Sequence, residues 1–115
     1  MSKNYVRSQL SQAALFEQLG EECAELAQAA LKMARLERGE NPTPMLLEEI
    51  QANLVEEVSD VDLVLSVLNI GPSARTQERK LARWVGRIEE AREDPCGAYA
   101  RKIRERGAKP VLQID

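Results

Sequence analysis

The feature that most narrows the fold is a short acidic pattern written twice, inside the two most apolar stretches of the chain. Residues 21–26 read EECAEL and residues 56–61 read EEVSDV: acid, acid, two other residues, acid, aliphatic. Around the first copy, Leu15, Leu19, Glu22, Leu26 and Ala29 step by four, three, four and three. Around the second, Leu54, Glu57, Val61, Val64 and Leu68 step by three, four, three and four. Such steps trace one face of an α-helix. Glu22 and Glu57 thus fall on apolar stripes, with Glu25 and Asp60 beside them, and the two pairs are predicted to face one interior from two helices.

Four inward carboxylates repel one another and are costly to desolvate. The arrangement requires something positive between them. One answer is side-chain cations, for which Lys32, Arg35 and Arg83 are available. The other is a hard divalent cation with oxygen ligands, Mg2+ first and Mn2+ second. A di-iron bundle site normally carries Glu-x-x-His on two helices, and this chain has no histidine. Spacing alone leaves both answers open.

The rest of the chain reads as helix with short breaks. One helix is predicted over residues 9–37, ended by Gly39 with Pro42 just beyond. A second is predicted to start at Thr43-Pro44, Thr as N-cap and Pro in the first helical position, and to run to Asn69. Gly71-Pro72-Ser73 breaks it, with Ser73 placed to cap a third helix over 74–92 whose apolar stripe is Leu81, Trp84, Val85 and Ile88. A short fourth helix is expected over 97–106. Short loops between long helices predict an all-α, antiparallel bundle of about four helices. A length of 115 residues suits one domain, with its core over 9–92 and a basic C-terminal helix and tail over 97–115. Val61–Leu68 is apolar on nearly every side, so that helix needs cover on more than one face, part of it from another subunit.

Composition removes several function classes. Without histidine the commonest general base and the commonest transition-metal ligand are missing. Cys23 and Cys96 make neither a disulfide framework nor a zinc site and suit a reducing cytoplasm. The start of the chain has no apolar signal-peptide core, and the longest apolar run is too short to span a bilayer, so a cytoplasmic protein without a membrane partner is expected. The aromatic residues Tyr5, Phe16, Trp84 and Tyr99 are few and are read as packing residues rather than stacking platforms.

The segments LFEQLGEECAELAQAALKMARL and LVEEVSDVDLVL resemble the MazG-like, all-α nucleoside triphosphate pyrophosphohydrolases, whose signature is EExxE on one helix and ExxD on the next. Here that signature is Glu21-Glu22-x-x-Glu25 and Glu57-x-x-Asp60, and the likeness covers roughly residues 10–90. The resemblance implies cleavage of an NTP or dNTP between the α- and β-phosphates, giving the monophosphate and pyrophosphate, in nucleotide-pool sanitation or salvage. It implies Mg2+ held by Glu22, Glu25, Glu57 and Asp60, with Glu21 at the position of the proposed base for the attacking water. It also implies a homodimer or homotetramer with shared sites.

A triphosphate needs cationic donors as well. Residues 1–71 carry 5 Lys/Arg against 12 Asp/Glu, a net of -7, whereas residues 72–115 carry 11 against 7, a net of +4. Lys32 lies two helical turns beyond Glu25 on the same face, and Lys80, Arg83 and Arg87 recur at helical spacing. The resemblance points to Lys80 and Arg83 on the later helix, and Lys32 and Asn69 complete the substrate-binding candidates. Two other functions compete. One is a catalytically silent helical interaction module of the same fold. The other is a nucleic-acid binder using the basic segment, which the acidic net charge and the lack of a groove-reading motif disfavour.

Overall fold

Ser2 and Ser11 set where the chain first turns into helix. A computed structural model describes residues 2–39 and 45–93, all of them helix, cap or connection, with no strand among them. The Ser2 hydroxyl accepts from the Tyr5 amide at 3.2 Å and starts α1, Lys3–Gln9. Leu10 and Ser11 are extended, and the Ser11 hydroxyl accepts from the Ala14 amide at 3.1 Å to start α2, Gln12–Arg38. The predicted helix over 9–37 is therefore corrected at its N-terminus: a serine hydroxyl that satisfies an amide three residues on favours a new start over continuation.

Gly39 ends α2 as predicted. Its φ of 66° is left-handed, and its amide donates to the Arg35 and Leu36 carbonyls. The next helix, α3, is Leu47–Val67, with Leu46 as an N-cap that makes no side-chain hydrogen bond. This corrects the predicted start: Thr43 and Pro44 lie outside the described residues, and Met45 and Leu46 precede the helix rather than belonging to it. Glu48 and Glu49 fill its first turn, where negative charge complements the helix dipole. At the other end Asn69 adopts φ 60°, and the Ile70 amide reaches back to the Leu65 carbonyl at 2.9 Å. That is a helix stop of the left-handed kind, with Asn in the place glycine often takes.

The chain divides into two units, Met1–Gly71 and a second beginning at Pro72. In the first, α2 and α3 form an antiparallel hairpin: Gln12 and Leu15 at the start of α2, with Leu10 just before it, share a cavity with Val67 at the end of α3 and Asn69 just beyond. Leu15 and Ala29 of α2 and Ile50 and Val67 of α3 are buried. α1 is tied to α3 by Arg7, whose Nε donates to the Val67 carbonyl at 2.6 Å and whose Nη2 donates to the Ser66 carbonyl at 2.9 Å. Its Nη1 donates to Asn4 Oδ1 at 2.6 Å. A guanidinium on the last carbonyls of a helix both satisfies acceptors and opposes the negative end of the dipole. Arg7→Ala is expected to destabilise the hairpin by about 1–2 kcal/mol, measured by urea unfolding, and Arg7→Lys to recover only the charge part.

The apolar surface of this hairpin exceeds what it buries. Phe16, Leu31, Val55, Val58 and Leu63 are exposed, Val55 by 65%. Within Val61–Leu68, the segment expected to need cover on more than one face, Leu63 is exposed and the other apolar side chains are buried or half-buried. Tyr5 and Phe16 are exposed, contrary to the expectation that they pack.

In the second unit the described part is one helix, α4, Ala74–Glu93. The Ser73 hydroxyl accepts from the Thr76 amide at 3.2 Å, the predicted cap. Leu81, Trp84 and Val85 share one flank and are exposed, Trp84 by 65%, so its reading as a packing residue is corrected. The stripe is present, with Leu81, Trp84 and Val85 exposed and Ile88 half-buried. The expected helix over 97–106, Tyr99 and the basic tail lie outside the described residues. No helix among the described residues is long and apolar enough to cross a membrane.

Candidate metal centre

The i, i+3 spacing of each acidic pair puts two carboxylates on one side of a helix, and the α2–α3 hairpin turns those sides toward each other. Glu22, Glu25, Glu57 and Asp60 each present one carboxylate oxygen such that all four oxygens lie within 4.8 Å of one another. Glu22, Glu57 and Asp60 are half-buried, and Glu25 sits at the exposed mouth. The side chain of Gln18 donates to Glu22 Oε1 at 2.7 Å, one turn earlier on α2, and holds that carboxylate in place.

The electrostatics are those of an uncompensated cluster. Glu22 Oε2 and Glu57 Oε2 are buried and have no hydrogen-bond partner. A buried acceptor without a donor is costly, more so when charged. The Glu25 carboxyl is held above its ordinary value, first by the negative charge of Glu57, then by a hydrogen bond to Glu57 and by desolvation. Asp60 adds to this and a hydrogen bond from Glu22 opposes it. Every side chain that moves Glu25 is a carboxylate, so the centre gathers negative charge for a cation to neutralise.

The donor set fits a hard divalent ion. All four donors are carboxylate oxygens, with no nitrogen or sulfur among them, which suits Mg2+ or Mn2+ over zinc or copper. The two orphaned oxygens supply acceptors that no protein donor occupies.

The other predicted site residues fall elsewhere. Glu21 is exposed on α2 and is not one of the four clustered acids. Lys32 is half-buried on α2, seven residues past Glu25, about 10 Å along the helix. Lys80 and Arg83 line a shallow groove on the second unit with Trp84 and Arg87, a cavity of about 280 Å³. Asn69 lines a cavity of about 450 Å³ at the end of the hairpin, together with Arg7 and Gln12. Sequence reading missed Arg7 and Gln12. Their only local signal was the Ser11 cap, which separates α1 from α2 and so allows Arg7 to reach carbonyls 59 and 60 residues away.

Comparison with family models, with curated proteins and with solved structures finds no match for this chain.

Proposed function

We propose that the chain is a Mg2+-dependent nucleoside triphosphate pyrophosphohydrolase of the MazG-like all-α kind. The observation that carries this reading is the convergence of Glu22 and Glu25 with Glu57 and Asp60, with two of their oxygens buried and without a partner among the described residues. In this reading Glu22, Glu25, Glu57 and Asp60 hold the metal. The ion, once bound, would neutralise phosphate oxygens and make phosphorus more electrophilic.

The chain's own residues do the remaining work. Water adds to phosphorus, the bond to the bridging oxygen between the α- and β-phosphates breaks, and pyrophosphate leaves. The proton lost by the water needs a carboxylate, since no histidine exists to take it. By the resemblance, Glu21, exposed on α2 and outside the cluster, stands at the position of that base. Lys32 would supply a cation for the polyphosphate and Asn69 a polar contact to the substrate; Lys80 and Arg83 of α4 are the further cationic candidates. A dimer or tetramer would cover the exposed Val55, Val58 and Leu63 of α3.

The test is product analysis with a panel of NTPs and dNTPs, with and without Mg2+ or Mn2+. Monophosphate and pyrophosphate in equal amounts, formed only with metal, are expected. Well-folded protein that turns over no nucleotide would refute the reading and leave a catalytically silent module of the same fold.

A further inference from the structure

The cavity at the open end of the hairpin is built differently from the acidic centre. Leu10, Leu15 and Val67 give it apolar walls, while Gln12, Asn69 and Arg7 bring polar groups to its rim. Its volume of about 450 Å³ is in the range of small-molecule pockets. It is also in register with the metal centre. Leu15 lies seven residues before Glu22 on α2, and Val67 seven residues after Asp60 on α3. Because the two helices are antiparallel, both steps lead the same way, about 10 Å along the hairpin. Lys32 lies the same distance from Glu25 in the opposite direction.

The polar groups of this cavity do not suit a phosphate. Its cation, Arg7, already gives three of its N–H groups to Val67, Ser66 and Asn4. The other two polar residues are neutral carboxamides, each offering a donor and an acceptor. Aliphatic walls, a planar guanidinium fixed by two backbone carbonyls and two carboxamides together match an uncharged planar heterocycle with donors and acceptors on its edge. We propose that the Arg7–Gln12–Asn69 cavity is the nucleobase subsite, in which the Gln12 and Asn69 carboxamides read the base edge. This rests on the pyrophosphohydrolase reading for the position of the phosphates, and the sugar with its α-phosphate spans the gap between cavity and acids. Asn69 is held with φ 60° by the end of α3. Its backbone is fixed by the hydrogen bonds of the helix stop, the Asn69 amide N–H donating to the Ser66 carbonyl at 3.1 Å.

Two variants isolate the side chains. Asn69→Gly keeps the left-handed backbone, which glycine adopts without strain, and removes only the amide. Gln12→Ala truncates an exposed residue at the start of α2. Circular dichroism checks that both fold. Two measurements follow: kcat and KM over a panel of NTPs, and the side-chain amide NMR signals of Gln12 and Asn69 during titration with nucleoside monophosphates. The expected result is a preference among bases in the wild type. Each variant raises KM for the preferred base about tenfold with kcat nearly unchanged and narrows the preference, and both amide signals shift on titration. Turnover with amide signals that do not move, or with variants whose base preference and KM match the wild type, overturns the subsite and leaves the reaction standing. No turnover of any nucleotide, with both amide signals shifting for one base over the others, sinks the reaction but supports the subsite. No turnover and no shift overturns both.

Discussion

Mg2+ added to metal-free protein at pH 7.5 is expected to raise the melting temperature by on the order of 10 °C, and Glu57→Gln to abolish that rise. Ligand linkage gives about 2.7 kcal/mol at a hundredfold excess over Kd, and in a domain this small each kcal/mol is worth several degrees. The sign in the metal-free state is the sharper part. The folded-state pKa of Glu25 is raised above its ordinary value of 4.5. A raised carboxyl contributes stability that is fully present below the unfolded value and is lost as pH rises through the folded value. Without metal, the Glu25 contribution is therefore present under acid conditions and is lost as pH rises through the raised folded value. Because Glu57 is the largest cause of the shift, Glu57→Gln is expected to stabilise the metal-free protein at neutral pH even as it removes the response to Mg2+. Scanning calorimetry from pH 4 to 8, with and without metal, reads both effects. A variant less stable than wild type in the absence of metal would mean that Glu57 has a cationic partner and that the centre is structural.

That opposition between stability and function is what the sequence already carried. Each acidic pair sits on its apolar stripe through a spacing of three, and helical periodicity alone is enough to aim Glu22 with Glu25, and Glu57 with Asp60. Bringing the two pairs within 4.8 Å needed only a hairpin, and Gly39 announced where α2 would stop. The Ser73 cap of α4 was equally local. Hydrogen bonds across long sequence separations were not legible. Arg7 has no motif, and its bonds to Ser66 and Val67 exist only once α3 has ended beside α1. The apolar stripes of α3 and α4 told which sides are adhesive but not what lies against them, which is why Phe16 and Trp84 were read as packed and are exposed. A hydrophobic periodicity fixes a face and leaves its partner unspecified.

Glu57→Gln and Asp60→Asn are expected to lower kcat/KM by about 10³-fold or more, roughly 4 kcal/mol of transition-state stabilisation, and to shift the Mg2+ dependence to higher concentration. Glu21→Gln is expected to behave differently. Glu21 is exposed and outside the four-oxygen cluster, so its loss leaves the donor set intact. If it takes the water proton, kcat falls by about 10²- to 10⁴-fold while the Mg2+ midpoint and the metal-induced rise in melting temperature stay where they were. The acid limb of the pH–rate profile would also flatten, because that limb reports the base. The three variants thus separate metal binding by the α3 acids from proton transfer by Glu21 on α2. A Glu21→Gln enzyme with unchanged kcat would move the proton acceptor into the cluster. Glu25 would then be the first group to examine, because the negative charge of Glu57 holds its carboxyl above the ordinary value.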